Sequence, residues 1–352
     1  MARPGLAPPP REMLQDLCRA SILIVGAGGS IGSALARRLA ALEPSRLVLL
    51  DASESHLDVL QRRWAREPCA VPAVFRLGSV GDRALLEEIF AAHAPQLVFH
   101  AAAFKHVPLL ESQPLAAMEN NIFGTLALAE VATGARIVLL STDKAVEPAS
   151  VMGATKRVAE RIVLSVGGKA LRLGNVLASR GSVVEVFASQ IAAEDPLTVT
   201  DPVARRYFLT IDEAVTLLLA AALAPEPLAL LAPALPEPHS IADLARFMAR
   251  ELAPGRAIPI SFTGPRPGDK KKEQFWSTTE SARPATAEGL LSIESPALSH
   301  GQLRSVLARL RAALDARDVL AALSHLKALV PDYTPSPAVL SLAGEHLPRV
   351  NA

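Results

Sequence analysis

The chain has 352 residues, half of them hydrophobic and a fifth charged, which excludes a disordered polyelectrolyte and leaves material for one large α/β domain or two unequal lobes. Lysine plus arginine number 36 against 35 aspartate plus glutamate, so no excess charge exists to hold nucleic acid or an anionic membrane. The two cysteines, Cys18 and Cys69, supply neither a disulfide framework nor a zinc-ligand spacing, and the expectation is a reducing, cytoplasmic setting with no bound metal.

In chain order, residues 1–20 read as an N-terminal extension. Within Met1 to Arg11 the run Ala7-Pro8-Pro9-Pro10 interrupts the apolar core that an export signal requires. From residue 21 to 175 short apolar runs alternate with longer helical patterns, the signature of parallel strands joined by helical crossovers. Strands are expected at Ser21 to Val25, Arg46 to Leu50, Ala73 to Leu77, Gln96 to His100, Arg136 to Ser141 and Lys169 to Leu173. Their near-continuous hydrophobicity fits strands covered by helices on both faces, a doubly wound parallel sheet of the α/β class.

Residues 176–298 are richer in proline and read mainly as a smaller, substrate-binding lobe over the carboxyl ends of the strands, with some chain returning to the sheet. Ala214 to Leu235 is apolar enough to resemble a membrane span, but Pro225, Glu226, Pro227 and Pro233 divide it into a helix, a turn and a buried strand. No membrane insertion is expected. Residues 299–352 read as a C-terminal helical segment, with a Leu-rich and Ala-rich amphipathic helical pattern over 299–330 ending near Val330-Pro331.

The first strand runs into Gly26-Ala27-Gly28-Gly29-Ser30-Ile31-Gly32, and a helical pattern follows at once over Ser33 to Leu42. Glycines at 26, 29 and 32 permit a tight turn, close approach of backbone to a pyrophosphate, and packing of helix on strand. This makes the domain Rossmann-like, with Gly26, Gly29, Ser30, Ile31 and Gly32 the expected pyrophosphate cradle. Asp51 ends the second strand, 19 positions after Gly32, where a carboxylate can accept from adenosine ribose hydroxyls. Its charge favours NAD over NADP, since a 2′-phosphate would meet it and no arginine follows directly. Asp51 can equally cap the helix starting near Ser53.

At the end of the fifth strand the chain reads Ser141-Thr142-Asp143-Lys144-Ala145, followed by Val151-Met152-Gly153-Ala154-Thr155-Lys156-Arg157. A hydroxyl, a carboxylate and an amine at a strand's carboxyl end can supply general acid and general base together, with Lys156 on the next helix. Met152 lies one helical turn before Lys156, where a tyrosine could share a proton path with the lysine; methionine cannot, so that proton work must move elsewhere.

Together these residues resemble the extended short-chain dehydrogenase/reductase superfamily, whose usual pattern is Tyr-x-x-x-Lys, and within it the polysaccharide-biosynthesis branch that contains UDP-N-acetylglucosamine 4,6-dehydratases. The likeness runs through Gly26 to Gly32, His100-Ala101-Ala102-Ala103-Phe104-Lys105-His106-Val107-Pro108-Leu109, Asn120 to Thr125, the Ser141 to Arg157 segments, Arg172 to Leu177, Ser179 to Ser182, Arg206 to Phe208, Gly264 to Lys270 and Leu329 to Tyr333. The resemblance implies an NAD-dependent, redox-neutral dehydration of a nucleotide sugar: hydride leaves C4, water leaves across C5 and C6, and the hydride returns to C6. It implies Asp143 as the acid at the C6 hydroxyl, Lys144 as the base at C5, Thr142 as a partner of the C4 oxygen, and Lys156 on the nicotinamide ribose. Ala101 and Ala102 would line the cofactor; Lys105, His106, Asn175, Arg180, Arg206 and Arg266 would hold the sugar nucleotide, whose phosphates suit lysine and arginine. His106 can also be read as a polar core residue. A homo-oligomer is expected through the helices after the fourth and fifth strands.

Many relatives carry Gly-Glu-Lys-Leu-Tyr-Glu-Glu where this chain has Gly268-Asp269-Lys270-Lys271-Lys272-Glu273-Gln274, and the lysine run reads as a solvated face. Two competing readings are an epimerase of the same superfamily and a non-catalytic NAD-binding scaffold.

Overall fold

The computed structural model describes residues 14–66, 70–226, 229–296 and 298–345, with Pro9. The export-signal reading of Met1 to Arg11 therefore falls almost wholly outside the described residues, as do Cys69 and Pro227.

Strands without a polar residue in their middle need cover on both faces, and the chain supplies it by alternation. β1 (Ser21–Val25), β2 (Arg46–Asp51), β3 (Ala73–Leu77), β4 (Leu97–His100), β5 (Arg136–Thr142) and β6 (Lys169–Leu173) form the sheet, with helices between them: α1 (Ser30–Ala40), α2 (Glu54–Arg66), α3 (Arg83–His93), α4 (Val107–Ser112), α5 (Pro114–Met118), α6 (Gly124–Val131) and α7 (Val151–Ser165). A π-helical turn, Glu119–Phe123, joins α5 to α6. β1, β3 and β6 occupy the expected residues. β4 is one residue shorter, whereas β2 and β5 are each one residue longer, ending on Asp51 and Thr142.

Among the described residues the sheet has nine strands in the order β3-β2-β1-β4-β5-β6-β11-β15-β14. β11 (Ala229–Pro233) extends the parallel set beside β6, while β15 (Leu290–Glu294) and β14 (Ser281–Pro284) add an antiparallel edge. Strand β1 pairs with β2 on one side and β4 on the other, so the winding direction reverses there and opens a crevice at the carboxyl ends. This is the Rossmann-like doubly wound fold, and the apolar stretch near residue 214 is a buried helix, α9 (Ile211–Leu223), followed by buried β11. Among the described residues no helix is long and apolar enough to cross a membrane.

The smaller lobe contains α8 (Val183–Ala192) and α10 (Ile241–Leu252) with short strand pairs: β7 (Asn175–Val176) with β10 (Phe208–Leu209), β8 (Leu197–Val199) with β13 (Ile260–Phe262), and β9 (Arg205–Arg206) with β12 (His239–Ser240). Its own core is Phe187, Ile191, Leu197, Val199, Phe208, Ile241 and Met248.

The pattern over 299–330 is two helices, α11 (His300–Asp315) and α12 (Val319–Leu329), because Arg317 adopts a left-handed φ of 54° and the Asp318 carboxylate accepts from the Ala321 N–H to start α12. A third helix, α13 (Pro337–Glu345), follows. The Leu-rich faces of α11 and α12, with Tyr333 and Val339, are buried in the same core as α4 to α7. Part of the surface through which subunit pairing was expected is thereby covered by the chain's own C-terminal helices.

The charge inside β6 explains how the returning chain is fixed. Arg172 is fully buried, and its guanidinium meets Glu160 of α7 at 3.0 Å and Glu280 at 2.9 Å. Arg157 closes the ring, 3.1 Å from Glu160 and 2.6 Å from Glu280. A fifth acceptor, the Phe275 carbonyl, lies 2.7 Å from Arg172 Nη1. Buried ions of this kind are tolerable only when every donor and acceptor is matched. Arg172→Met should therefore lower unfolding stability by about 3–5 kcal/mol, since it leaves two buried carboxylates sharing the single guanidinium of Arg157. Urea titration followed by circular dichroism measures this, and an unchanged midpoint would mean that the ring does not hold the two parts together.

Candidate active site

The glycine-rich turn depends on space. Gly26 has φ of 83°, and a Cβ there would lie 2.7 Å from Ala102 N; a Cβ on Gly32 would lie 2.1 Å from the Gly26 carbonyl oxygen. The turn therefore lies directly against the backbone of Ala101 and Ala102. Helix α1 begins directly at Ser30, earlier than the pattern Ser33 to Leu42 predicts, with Gly29 at its N-cap and no side-chain cap. Its first N–H groups, including those of Ser30, Ile31 and Gly32, face the crevice end without an intrahelical partner, as an anion site requires.

Asp51 is buried at the end of β2. One carboxylate oxygen accepts from the Gly28 N–H and the other from the Ser53 N–H, both at 2.8 Å. It thus ties the glycine turn to the residue before α2, whereas the first-turn N–H of His56 goes to Ser53 Oγ at 3.4 Å, so Ser53 and not Asp51 serves the helix start. Each Asp51 carboxylate oxygen keeps a lone pair for a ribose hydroxyl.

At the end of β5 the chain turns through a short 3₁₀ segment, Asp143–Ala145, capped by Thr142, whose Oγ1 accepts from the Lys144 N–H. Thr142 Oγ1 donates to Asp143 Oδ1 at 3.0 Å. Lys144 Nζ donates to the same Oδ1 at 2.9 Å and to Asn175 Oδ1 at 3.0 Å. Asp143 is fully buried, and its Oδ2 has no hydrogen-bond partner among the described residues. Burial drives its pKa above the ordinary carboxylate value, with Lys144 opposing the shift. The Lys144 pKa is pushed above the usual lysine value: burial opposes this, but the carboxylates of Asp143 and Glu273 overcome it. Its ammonium form is therefore the resting one.

Met152 and Lys156 are both buried on α7. Ser150 caps this helix by accepting from the Gly153 N–H, and a Cβ at Gly153 would be 2.2 Å from the Lys144 carbonyl, so the helix lies directly against the Asp143 turn. The Lys156 ammonium makes no hydrogen bond to the described residues, and burial lowers its pKa to about 8 despite Glu160 nearby. It loses its positive charge as pH rises through that value. Behind it, His100 Nε2 lies 2.9 Å from Thr125 Oγ1, which already donates to the Asn121 carbonyl; Nε2 therefore carries the imidazole hydrogen. Complete burial lowers the His100 pKa to about 3, so the ring is neutral at physiological pH.

The expected sugar-nucleotide residues divide into groups. Asn175 meets Lys144 directly. Arg206 is buried at the base of the lobe, donating to the carbonyls of Lys270 and Lys271. Arg266 is exposed and paired with Asp269 at 2.9 Å. Lys105 and Arg180 stand apart from these, beside the glycine turn: Arg180 Nη1 donates to the Gly28 carbonyl at 3.1 Å, and Lys105 Nζ donates to the Arg180 carbonyl at 2.6 Å. His106 is exposed at the N-cap of α4, which overturns the polar-core reading, and it lies against Gly181.

Two residues at the centre escaped the sequence reading. Glu273 is buried, with carboxylate oxygens 3.8 Å from Lys144 Nζ, 3.9 Å from Arg206 Nε and 2.7 Å from Lys270 Nζ. Lys270, read as part of a solvated face, instead donates to the Val146 carbonyl at 2.9 Å and clamps the segment onto the Asp143 turn. Nothing local in Lys270 to Gln274 signals this, because the burial comes from Arg206 and β5. Asn121 also lacks an assigned role in the sequence, yet it donates to the Phe104 carbonyl and to Thr155 Oγ1, each at 3.0 Å, fixing the segment after β4 against α7. No group of three or more metal-binding side chains occurs among the described residues.

Comparison with known proteins agrees with this architecture. The solved structure of Pen from Bacillus thuringiensis is similar with a TM-score of 0.71 and 26% identity, covering 83% of this chain and 98% of that one. Probable polysaccharide biosynthesis protein EpsC of Bacillus subtilis is 40% identical over 276 residues, 74% of this chain and 45% of the relative. Capsular polysaccharide biosynthesis protein CapD of Staphylococcus aureus is 38% identical over 281 residues, 76% of this chain and 46% of the relative. The chain thus spans about half the length of these two curated relatives. The family model described as polysaccharide biosynthesis protein matches residues 22–295, from β1 to the end of the sheet, and the chain belongs to that family.

Proposed function

We propose that the chain is an NAD-dependent nucleotide-sugar 4,6-dehydratase, with UDP-N-acetylglucosamine the leading substrate. The observation that carries this reading is the Thr142-Asp143-Lys144 cluster around the buried Asp143, in which a hydroxyl, a carboxylate and an amine share hydrogen bonds through one oxygen, Asp143 Oδ1. Elimination across C5 and C6 needs an acid and a base on neighbouring carbons. An epimerase that only oxidises and reduces C4 has no use for such a pair, and a binding scaffold has no reason to bury it.

The residues fit a dinucleotide on three counts: a turn whose glycines leave no room for a Cβ, a helix start without a side-chain cap, and a buried Lys156 ammonium without a hydrogen-bond partner among the described residues. When bound, NAD supplies the hydride acceptor for C4 and the hydride donor for C6. Lys156 would hold the nicotinamide ribose, and Asp51 the adenosine ribose. The localisation expected is the cytoplasm, where sugar nucleotides are available.

The chain's own groups can account for every proton. Met152 carries none, so the C4 hydroxyl proton leaves through Thr142 Oγ1, which already donates to Asp143 Oδ1. Asp143 then holds this proton as a carboxylic acid, the form that its burial favours. The C4 carbonyl makes the C5 hydrogen acidic, and neutral Lys144 takes it while Asp143 protonates the departing C6 hydroxyl. Lys144 finally returns its proton to C5. The O4 proton thus departs in the water, and the pair returns to carboxylate and free amine.

This cycle requires Lys144 without its resting proton. Its raised pKa makes the free amine scarce at neutral pH, so kcat/KM should rise with pH and level off near pH 8, where the loss of Lys156 charge offsets the growing fraction of free Lys144 amine. Initial rates over pH 6 to 10 check this, and Lys156→Arg should let the rise continue past pH 8. A flat wild-type profile would contradict both roles.

Asp143→Asn should reduce turnover by about 10²–10⁴-fold while leaving NAD affinity intact. The direct assay is UDP-N-acetylglucosamine incubated with enzyme in heavy water and read by mass spectrometry and proton NMR. Loss of water with one deuterium at C5 is the expected outcome; C4 inversion without mass loss would favour the epimerase, and full activity of the Asn variant would remove the acid role.

A further inference from the structure

A dinucleotide that begins and ends each turnover in the same redox form need not leave between cycles. The loop after β7 is built as if to hold it. Ala178 and Gly181 have φ of 54° and 70°, and between them the chain turns back over the start of α1. The Arg180 N–H donates to Ser30 Oγ at 3.1 Å, its guanidinium donates to the Gly28 carbonyl at 3.1 Å, and Lys105 Nζ donates to the Arg180 carbonyl at 2.6 Å. On the far side, the Gly181 N–H is held by Glu185 Oε2 at 2.6 Å. A Cβ on Gly181 would lie 2.6 Å from His106 Cε1, so loop and α4 are in close contact.

This puts two cations together above a helix N-terminus whose own partial charge is positive. The Lys105 pKa is lowered by burial and by Arg180, and only Glu185 opposes. Such crowding of like charge is stabilised by an anion between the cations and the helix. The sugar-diphosphate candidates Arg206 and Arg266 belong to the other group, with Lys270 and Asp269. The dinucleotide pyrophosphate, by contrast, must cross Gly28 to Ser30.

We propose that Arg180, backed by Lys105, is a clasp on the pyrophosphate of the dinucleotide and not a ligand of the sugar diphosphate, so that the 178–182 loop must swing away before the cofactor exchanges. The inference rests on the dinucleotide reading of the glycine turn and is independent of which sugar reaction follows.

The test compares wild type, Arg180→Ala, Arg180→Lys and Lys105→Ala, each stripped of dinucleotide. NAD affinity is measured by titration calorimetry and NAD release by stopped-flow fluorescence, without sugar nucleotide. UDP affinity is measured separately at saturating NAD. Removing one charge-assisted contact should weaken NAD binding in Arg180→Ala by about 10- to 100-fold, chiefly through faster release. UDP affinity should be unchanged, Lys105→Ala should move in the same direction by less, and Arg180→Lys should recover part of the loss. Arg180 is exposed, so these substitutions leave the fold intact. Unchanged NAD binding with weakened UDP binding would return Arg180 to the sugar diphosphate, and no change in either would reduce it to a surface charge; both overturn the clasp. Wild type with no NAD affinity would overturn the dinucleotide reading itself.

Discussion

The closed ring of Arg157, Glu160, Arg172 and Glu280 is the constraint on which the site depends. Two guanidinium groups and two carboxylates are buried together, and each meets two partners of opposite sign. The ring joins α7, β6 and the chain that returns from the smaller lobe. Helix α7 carries Met152 and Lys156; β6 leads to Asn175; the returning chain carries Lys270, Glu273 and Phe275. Arg172 also holds the Phe275 carbonyl, and Tyr207 stacks on the Phe275 ring with centroids 4.6 Å apart. Desolvated charges have no alternative partners nearby, so this arrangement fixes geometry even where it adds little net stability.

From that anchor the charges of the site follow in order. Glu273 is brought beside Lys144 from one side and Asp143 from the other, which holds the lysine as an ammonium. Burial acts oppositely on its neighbours, raising Asp143 and lowering Lys156. Groups whose environments push them toward the neutral form thus lie beside groups stabilised as ions. Separated proton affinities of this kind are what a reaction with both acid and base steps requires. The C-terminal helices contribute by cover: Ser336 Oγ donates to Glu111, whose other oxygen accepts from the Val151 N–H at 2.7 Å, so the tail steadies the start of α7.

Much of the parallel half was legible in the sequence, because a strand buried on both faces leaves a continuous apolar run and a glycine turn leaves fixed spacing. The places where the strands outrun their apolar runs, Asp51 and Thr142, are polar residues at the carboxyl ends, where the sheet hands over to the crevice. The split between α11 and α12 was not legible, since Arg317 in a left-handed conformation has no local signature. Lys270 was misread for a related reason: a lysine run ordinarily faces water, and only Val146 and Glu273, distant or buried by distant chain, give this one a polar interior.

The sequence by itself determined the Rossmann-like sheet, the glycine turn and the Thr142-Asp143-Lys144 cluster, since each is written within one short segment whose periodicity or spacing reports its surroundings. Only the tertiary structure decided that Glu273 faces Lys144, that Arg180 lies on the glycine turn, and that Arg172 closes a ring with residues from two other segments. Those are contacts between chain positions 12 to 152 residues apart, which no local spacing reports, and the ion pairs among them gain their strength from burial that only the folded chain provides.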